Sequence, residues 1–437
     1  MTEKSKYTLT VGITLVIANM IGTGVFTSLG YQVGPLPSGF AILLLWAIGG
    51  VVALSGAFTY AEISTTLKKS GGEYHYLGKI FHPAFGFVSG WMSLLVGFAG
   101  AISAVAIAIA EYSSALLGIN GKVIAVSAIF VVSGIHWFGV KTGGRAQNIL
   151  TGTKLLLIVF FCVAPFFLAG EKSGISFSIR PGDWSLITSS NFAESLVFVV
   201  YAYTGWNAAA YIAGNLDNPS KNLPKSLIIG TLIVVVVYLS LNAMFLYSAS
   251  FSELNGKNDI GNVVAVKLMG SKIGALFSCI FSIALLSTLS AMTIAGPRVL
   301  EAMGDDYPKL KTFSTKNKFD MPYLAIITQA TWAVFLVLVS SFKEIVQYIS
   351  ISLSLFSMFT VIGIFFLRKQ YKKEERPFQI PLYPLPPIIF IVCTCWMIYY
   401  VTADDPKIIL YSLATMVPGL IVYFAISNKP KKLILFY

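Results

Sequence analysis

Lys154 is the residue of this chain whose surroundings most clearly demand a chemical role. It lies within residues 149–161, a segment otherwise apolar enough to cross a lipid bilayer. An ammonium at the centre of a membrane helix costs at least about 2.5–3.5 kcal/mol, so it needs a partner or a water-lined cavity. Lys154 follows Arg145 by nine residues, or about 13 Å of helix, which favours a position near mid-membrane. The sequence therefore predicts a functional site at Lys154, with snorkelling of its side chain to the interface as the alternative.

Two further segments place glycine and polar residues inside apolar stretches. They are residues 18–26 (ANMIGTGVF) and residues 201–207 (YAYTGWN). Glycine weakens a helix by about 0.8–1.0 kcal/mol relative to alanine, so both segments are predicted to unwind. Backbone groups freed in this way must be satisfied inside the protein or in a wet cavity. Close helix packing through small residues is the alternative, and it weighs more for Gly205 than for Gly22 and Gly24.

A broken helix offers two kinds of backbone group to a ligand. The half-helix that begins near Val25 would point its amides at the gap, which suits a carboxylate. The half-helix that ends near Met20 would expose carbonyls, which suit an ammonium. The hydroxyls of Thr23 and Thr204 can add donors. This arrangement matches the two backbone charges of an amino acid, and neither break contains a carboxylate that would demand a cationic side chain.

The composition predicts the helices that must position these residues. The chain has 437 residues, of which 56% are hydrophobic and 11% are charged, whereas a soluble domain has roughly 25% charged residues. A membrane-spanning helix needs about 20 predominantly apolar residues, and the long apolar runs exclude the alternating pattern of a β-barrel. We predict twelve spans, at approximately residues 8–32, 38–66, 84–117, 122–140, 146–169, 191–214, 225–249, 271–302, 321–341, 344–367, 380–401 and 406–427.

The basic residues predict the orientation of the spans. Of the 31 Lys and Arg residues, 22 fall on the side of the N-terminus, 8 fall on the opposite side, and Lys154 lies between. This excess predicts a multi-pass protein of the plasma (inner) membrane with both termini in the cytoplasm. The net charge of +12 is then explained by loops that face anionic lipid, and no nucleic-acid partner is predicted. The first apolar stretch shows no cleavage site of a signal peptide.

Residue types that support enzymatic or metal chemistry are not clustered. No intramembrane grouping of His, Asp and Cys has the spacing of a metal site or a nucleophile–base pair, so we expect neither an enzyme nor a cofactor. Glu62 is expected to form a hydrogen bond at the cytoplasmic gate, and His136 is expected at the membrane interface. The cysteines all lie in predicted spans and indicate packing residues: Cys162, Cys279, Cys393 and Cys395.

Four motifs follow one another in the order of a known family. Residues 20–26 (MIGTGVF) resemble IIGSGIF in that family's first helix, with Thr23 in place of serine. Residues 60–62 (YAE) with 70–77 (SGGEYHYL) are similar to YAEL…SGGEYVYL. Two further matches are residues 203–207 (YTGWN) with 217–224 (DNPSKNLP), and residues 376–384 (RPFQIPLYP). The chain thus resembles the amino acid–polyamine–organocation transporter superfamily and, within it, the L-type amino acid transporters.

The resemblance implies an all-α integral membrane protein with a LeuT-type fold. In this fold a single transporter domain contains two inverted repeats of five helices, followed by two C-terminal helices. Here the first repeat corresponds to residues 1–170, the second to residues 190–370, and the last two helices to residues 378–428.

The resemblance also implies a substrate site. First-helix backbone would hold the substrate carboxylate, and carbonyls of the first and sixth helices would meet its ammonium. The aromatic gate over the substrate would be Tyr201, at the break that contains Gly205. The implied carboxylate site is Gly22, Thr23 and Gly24, and the implied ammonium site is Met20, Ile21, Tyr201 and Thr204.

Lys154 matches the fifth-helix lysine of the family. The ammonium of that lysine is thought to occupy the place of a sodium ion in sodium-coupled relatives of the fold. It would join first-helix carbonyls and an eighth-helix hydroxyl, for which Ser287 and Ser290 are the candidates. This implies a sodium-independent transporter, which we expect to exchange or take up neutral L-amino acids by alternating access.

Three departures from the family pattern bear on coupling and partners. Asn207 stands where proton-coupled arginine/agmatine relatives carry glutamate, and Asn215 stands where L-type relatives usually carry glutamate. The loop at residues 118–122 lacks the cysteine with which animal relatives bind a heavy chain, so no disulfide-linked heavy chain is expected.

Two alternatives stay open: a proton-coupled symporter in which Lys154 titrates, and a cationic amino acid or polyamine carrier. A channel or a non-transporting receptor is disfavoured, and the accepted side chain and oligomeric state are left open.

Overall fold

A computed structural model describes residues 7–68, 71–138, 144–168, 173–319 and 321–427, without the side chains of residues 115, 144–151 and 215. Ser70, the first residue of the motif at 70–77, therefore lies outside the described residues, as do the basic residues Lys4, Lys6 and Lys141 counted above and the side chains of Arg145 and Asn215. The described residues form helices and no β-strand, apart from an isolated bridge between Tyr7 and Leu216. The predicted all-α class is confirmed.

Nineteen α-helices are numbered in chain order within the described residues. They are α1 Leu9–Met20, α2 Gly24–Thr27, α3 Leu29–Gln32, α4 Gly39–Leu67, α5 Gly72–Ile80, α6 Pro83–Met92, α7 Ala99–Leu117, α8 Gly121–Trp137, α9 Gly144–Phe167, α10 Asp183–Ile187, α11 Ser190–Tyr203, α12 Pro219–Ser248, α13 Phe251–Leu254, α14 Ile260–Met269, α15 Ser271–Asp306, α16 Tyr323–Val339, α17 Phe342–Gln370, α18 Leu385–Asp404 and α19 Pro406–Ile426. A π-helical turn, Ser93–Phe98, joins α6 to α7, and a 3₁₀ segment, Ala208–Asn215, follows α11.

The helices are long and apolar enough for a multi-pass membrane protein, as predicted. Among the described residues, nine helical stretches could cross a bilayer by length and composition, and four shorter apolar helices accompany them. The shorter ones are Gly121–Trp137, Gly152–Phe167, Ile260–Met269 and Tyr323–Val339.

Two groups of four helices pack closely among themselves. One group contains α1, α4, α11 and α12, and the other contains α7, α8, α15 and α16. Helix α9 contacts α12 of the first group and α15 of the second, and α17 contacts both groups through α11 and α7. Helices α18 and α19 lie outside, against α4 and α17. The side of the molecule at which α1 begins is called the near side, and the side at which α3 ends is called the far side.

Several helix boundaries differ from the predicted ones. Helix α12 begins at Pro219 rather than at residue 225, because proline lacks the N–H that a first turn leaves unpaired. Helix α18 begins at Leu385 rather than at 380, with two prolines in its first turn. Helix α15 continues to Asp306, past the predicted end at 302. Helices α5 and α14 were not predicted, since they are too short to give a membrane-spanning pattern.

Candidate functional site

The first apolar stretch is interrupted between α1 and α2. Helix α1 ends at Met20, Ile21 adopts an extended conformation (φ −76°, ψ 91°), and α2 begins at Gly24. The second half-helix therefore starts one residue before the predicted Val25. The amides of this turn and the last carbonyls of α1 face a gap of three residues, which is the backbone arrangement that an amino acid's two charges require.

The second interruption follows α11. This helix ends at Tyr203, Thr204 is extended (ψ 146°), and Gly205 has φ +98°. Residues other than glycine rarely adopt this φ. A Cβ at Gly205 would also lie 2.9 Å from the carbonyl carbon and oxygen of Asn19 in α1. Gly205 thus serves both the chain reversal and a close approach to the first helix.

The approach of the two broken helices is reciprocal. A Cβ at Gly24 would lie 2.5 Å from Ala202 Cα in α11, as a Cβ at Gly205 would meet Asn19 in α1. A Cβ at Gly22, by contrast, would meet nothing within 4 Å. The two explanations weighed from the sequence therefore hold together: Gly24 and Gly205 permit close packing at the points where the helices unwind, and Gly22 borders open space.

Lys154 is directed at the first break. Its side chain is buried at 5% relative exposure, and its Nζ lies 3.4 Å from Ile21 O and 2.8 Å from Thr288 Oγ1. The snorkelling alternative is wrong, because the ammonium is held inside the protein by α1 and α15. A cavity of about 20 Å³, lined by Ile21, Lys154, Thr14 and apolar residues, leaves room for about one water.

The hydroxyl that receives Lys154 differs from the two predicted candidates. It is Thr288, whereas Ser290 Oγ lies 2.8 Å from His136 Nε2 and Ser287 Oγ donates to Ala284 O. Successive residues of a helix are about 100° apart, so Thr288 faces α9 while Ser290 faces α8. His136, which lies one residue before the end of α8, is buried at 3% exposure, and its position at the membrane interface stays a prediction.

Tyr238 of α12 connects the two breaks. Its hydroxyl lies 2.6 Å from Met20 O, the last carbonyl of α1, and 3.1 Å from Ala202 O, one residue before the end of α11. The side chain is fully buried. Within the run VVVVYLSL this tyrosine shows only the composition of an apolar span, so no sequence signal marked it.

We expect Tyr238→Phe to impair the amino acid transport that the resemblance implies more than it impairs stability. The change leaves two buried carbonyls, one beside each break, without their shared donor, which costs about 1–3 kcal/mol. Tyr203→Phe is the matched control, because that hydroxyl donates to Trp46 O, away from the breaks. Thermal unfolding in detergent and substrate exchange in proteoliposomes would be measured for both variants. Equal loss of exchange in the two would contradict a specific role for Tyr238.

The predicted gate residue also contacts the first break. Tyr201 Oη lies 3.0 Å from Thr23 Oγ1, and its ring packs edge-on against Phe342 at 6.4 Å between centroids. The Thr204 hydroxyl, which we expected to be a donor for a ligand, donates instead to Tyr201 O at 2.7 Å. Helix capping therefore uses the proton of Thr204.

A cleft on the far side leads towards these residues. Its volume is about 480 Å³, and its lining includes Tyr31, Glu111, Lys122 and Phe342. Tyr31 stacks on Phe198 with 4.8 Å between centroids and on Phe342 with 6.2 Å. This aromatic layer separates the cleft from the first break.

A buried ion cluster joins three segments of the chain on the near side. Glu62 of α4 is fully buried, and its two carboxylate oxygens lie 2.6 Å from Arg368 Nη2 and 2.5 Å from Arg376 Nη1. The backbone N–H of Ile380 donates to the same carboxylate at 2.8 Å. Glu62, which we expected to form a hydrogen bond, thus forms an ion cluster that holds α4 against α17 and against the segment before α18.

Metal-binding groups are not apparent in the described part of the chain. No set of three or more His, Cys, Asp and Glu residues there could hold a metal ion. All four cysteines are described and none forms a disulfide.

Comparison with known proteins places this geometry in a family. Residues 11–426 match the family described as amino acid permease. The serine/threonine exchanger SteT of Bacillus subtilis is 29% identical over 434 residues, which cover 98% of each chain. The mouse b(0,+)-type amino acid transporter 1 is 26% identical, covering 94% of this chain and 86% of that one. The rat large neutral amino acids transporter small subunit 2 is 26% identical, covering 95% and 80%.

All three relatives are named as exchangers or transporters, not as enzymes. The family match spans both broken helices, Lys154 and the near-side ion cluster. The predicted membership is confirmed: the chain belongs to the amino acid permease family.

Proposed function

We propose that this protein is a sodium-independent transporter that exchanges or takes up neutral L-amino acids. The observation that carries the proposal is the position of Lys154, whose ammonium lies between Ile21 O of the first break and Thr288 Oγ1. A fixed cation at this position stabilises the unwound backbone without a bound sodium ion. The names of the relatives, which include a serine/threonine exchanger and a large neutral amino acid transporter, support the substrate class.

The substrate would bind by its backbone charges in the gap beside Gly22. Amides of Gly22, Thr23 and Gly24 would hold the carboxylate. The ammonium would meet carbonyls at the ends of α1 and α11. Each carbonyl oxygen has two lone pairs, so the bond from Tyr238 to Met20 O leaves one for a ligand. The proposed acceptors are Met20, Ile21, Tyr201 and Thr204, with Gly205 shaping the second break.

Alternating access would use the two helix groups as its moving parts. The group α1, α4, α11 and α12 would rock against α7, α8, α15 and α16, and Tyr201 would close over the substrate. We propose twelve spans in a LeuT-type arrangement, with inverted repeats at residues 1–170 and 190–370 and two further helices at 378–428. Three shorter apolar helices, at Gly121–Trp137, Gly152–Phe167 and Tyr323–Val339, coincide with the predicted fourth, fifth and ninth spans and support that number.

The proposed setting is the plasma (inner) membrane with both termini in the cytoplasm, which makes the near side cytoplasmic. The excess of basic residues on that side supports this orientation. A disulfide-linked heavy chain is not part of the proposal, because the loop between α7 and α8 contains no cysteine. Lipid and an amino acid are the proposed partners.

Substrate screening would test the proposed function directly. Purified protein would be screened for thermal stabilisation by each proteinogenic amino acid, and the hits would be measured by counterflow in proteoliposomes. We expect stabilisation by small or medium neutral L-amino acids, and saturable counterflow that is unchanged when choline replaces sodium. Counterflow that requires sodium would contradict the proposal, whereas stabilisation only by arginine, lysine or polyamines would favour the cationic carrier. A rate that collapses with a protonophore would favour the proton-coupled symporter.

A further inference from the structure

Glu73 is a buried carboxyl group that the proposed transport site does not use. It lies in α5, the short helix between the second and third spans, and its relative exposure is 3%. Three donors converge on its Oε1: Tyr60 Oη at 2.5 Å, Ser357 Oγ at 2.8 Å and Asn207 Nδ2 at 3.4 Å. No donor of the described residues reaches Oε2. One carboxyl oxygen is thus fully engaged, and the other is available to carry a proton.

The surroundings of Glu73 contain no cation among the described residues. The ionisable groups facing it are tyrosines: Tyr60 from α4, Tyr76 from α5 itself and Tyr211 from the 3₁₀ segment. From α17 it faces the hydroxyl of Ser357. The neighbouring charges of α4 and α17 belong to the separate cluster in which Glu62 pairs with Arg368 and Arg376.

Burial governs the ionisation of this carboxyl. Desolvation raises the pKa of Glu73, and the hydrogen bonds from Tyr60, Ser357 and Asn207 lower it by a smaller amount. A carboxyl exposed to water has a pKa of about 4.3. Any movement that hydrates Glu73 therefore lowers its pKa and favours loss of the proton.

Helix α5 is hydrogen-bonded to both groups of helices that are proposed to move against each other, and to α17. Tyr60 lies on α4, Asn207 lies in the break after α11, and Ser357 lies on α17. The next residue, Tyr74, donates to Asp306 at the end of α15 at 2.5 Å. Helix α5 thus ties α4 and the break after α11 to α17 and to α15 at once, so movement of the two helix groups against each other would disturb the bonds to Glu73.

We propose that Glu73 is a proton-binding site whose deprotonation accompanies opening of the near side, so that transport is linked to cytoplasmic pH. The inference rests on the proposed transport function and orientation. It also gives a role to Asn207, which stands where proton-coupled relatives carry glutamate: here the side chain at 207 binds a second residue's carboxyl instead of supplying one. The proton leaves from Oε2 to water and returns to the same oxygen when the gate closes.

The direction of the pH effect follows from the sign of the shift. The closed state binds the proton more tightly than the open state, so acid stabilises the closed state and alkali favours opening. Exchange by the wild-type protein should therefore slow several-fold as the pH falls through the pKa of Glu73, which burial raises above its ordinary value.

The test is the pH profile of counterflow in proteoliposomes with equal pH on both sides. Glu73→Gln retains an acceptor oxygen for Tyr60 and Ser357 but cannot ionise, and it should give a flat profile at the low rate of the wild type in acid. Glu374→Gln removes an exposed carboxyl on the same side and should keep the wild-type profile. A Glu73→Gln profile with the wild-type slope would overturn the inference.

A second variant keeps the inference testable if Glu73→Gln fails to fold. Tyr60→Phe removes the shortest hydrogen bond to Oε1. Because that hydrogen bond lowers the pKa of Glu73, its loss should raise the pKa and move the midpoint of the profile to higher pH. An unmoved midpoint would count against Glu73 as the titrating group. Failure of the proposed function would look different, because the wild type would then show no counterflow of amino acids at any pH.

Discussion

Lys154→Ala is expected to reduce amino acid exchange by at least about 100-fold while leaving most of the protein folded. The two effects differ because two opposing terms act on stability. Hydrogen bonds from a charged donor contribute about 1.5–3 kcal/mol each, and Lys154 makes two such contacts, to Ile21 O and Thr288 Oγ1. Burying the ammonium costs at least about 2.5–3.5 kcal/mol, so removal of the side chain relieves a cost of similar size.

Transport has no such compensation. The unwound segment at Ile21 loses its cationic partner, and a loss of about 3 kcal/mol in a conformational step slows that step by about 100-fold. Lys154→Met is the sharper variant, since it keeps an unbranched apolar side chain against α1 and removes only the charge. Thr288→Val removes one of the two acceptors while keeping the shape, and we expect it to slow exchange by about ten-fold.

The measurement is counterflow of a stabilising amino acid, together with thermal unfolding in detergent. Exchange by Lys154→Ala at the wild-type rate would show that the contacts of Lys154 do not support the proposed function. A proton-coupled role for Lys154 predicts a further difference. In that case Lys154→Met would retain exchange but lose uptake driven by a pH gradient.

Gly24→Ala should abolish exchange and lower the stability of the fold, whereas Gly22→Ala should fold normally. The added Cβ at Gly24 would lie 2.5 Å from Ala202 Cα, and backbone atoms cannot move aside as a flexible side chain can. Overpacking of a well-packed interior typically costs about 1–3 kcal/mol, and here the clash lies within the break itself. At Gly22 the same methyl group meets nothing within 4 Å.

The comparison of the two glycines separates packing from binding. Size-exclusion chromatography and thermal unfolding would report folding, and the concentration dependence of thermal stabilisation would report substrate affinity. We expect Gly22→Ala to be stable but to bind amino acids at least ten-fold more weakly, because the methyl group enters the proposed carboxylate site. Gly205→Ala should resemble Gly24→Ala, given its φ of +98° and its approach to Asn19. A stable and fully active Gly24→Ala protein would contradict the observed approach of the helices.

The positions of the helix breaks were predictable from the sequence because glycine acts locally. The pair Gly22 and Gly24 interrupts an apolar stretch, and the unwound residues 21–23 lie there. The buried position of Lys154 was predictable for a similar reason, since a single charge in an apolar segment is conspicuous and must find a partner. Both signals depend on the residue and its immediate neighbours along the chain.

The partners of these residues were not predictable, because they depend on which face of one helix meets another. Thr288, Ser287 and Ser290 are equally plausible hydroxyls in the sequence, and only the rotation of α15 selects Thr288 for Lys154. Tyr238 is hidden within an apolar run, and its role follows from the crossing of α12 over both breaks. Glu73 belongs to a recognised motif, but its burial depends also on α17 and on the break after α11, which are distant in the chain.

The reciprocal glycine contacts restrict how this protein can diverge. A bulky residue at one position is often accommodated by a smaller one opposite, but Gly24 faces the Cα of residue 202 and Gly205 faces the carbonyl of residue 19. Every amino acid has these atoms, so no second substitution at 202 or 19 can restore the space. We expect descendants of this protein to acquire new substrate preferences through substitutions in α7, α15 and α17, while positions 24 and 205 remain glycine.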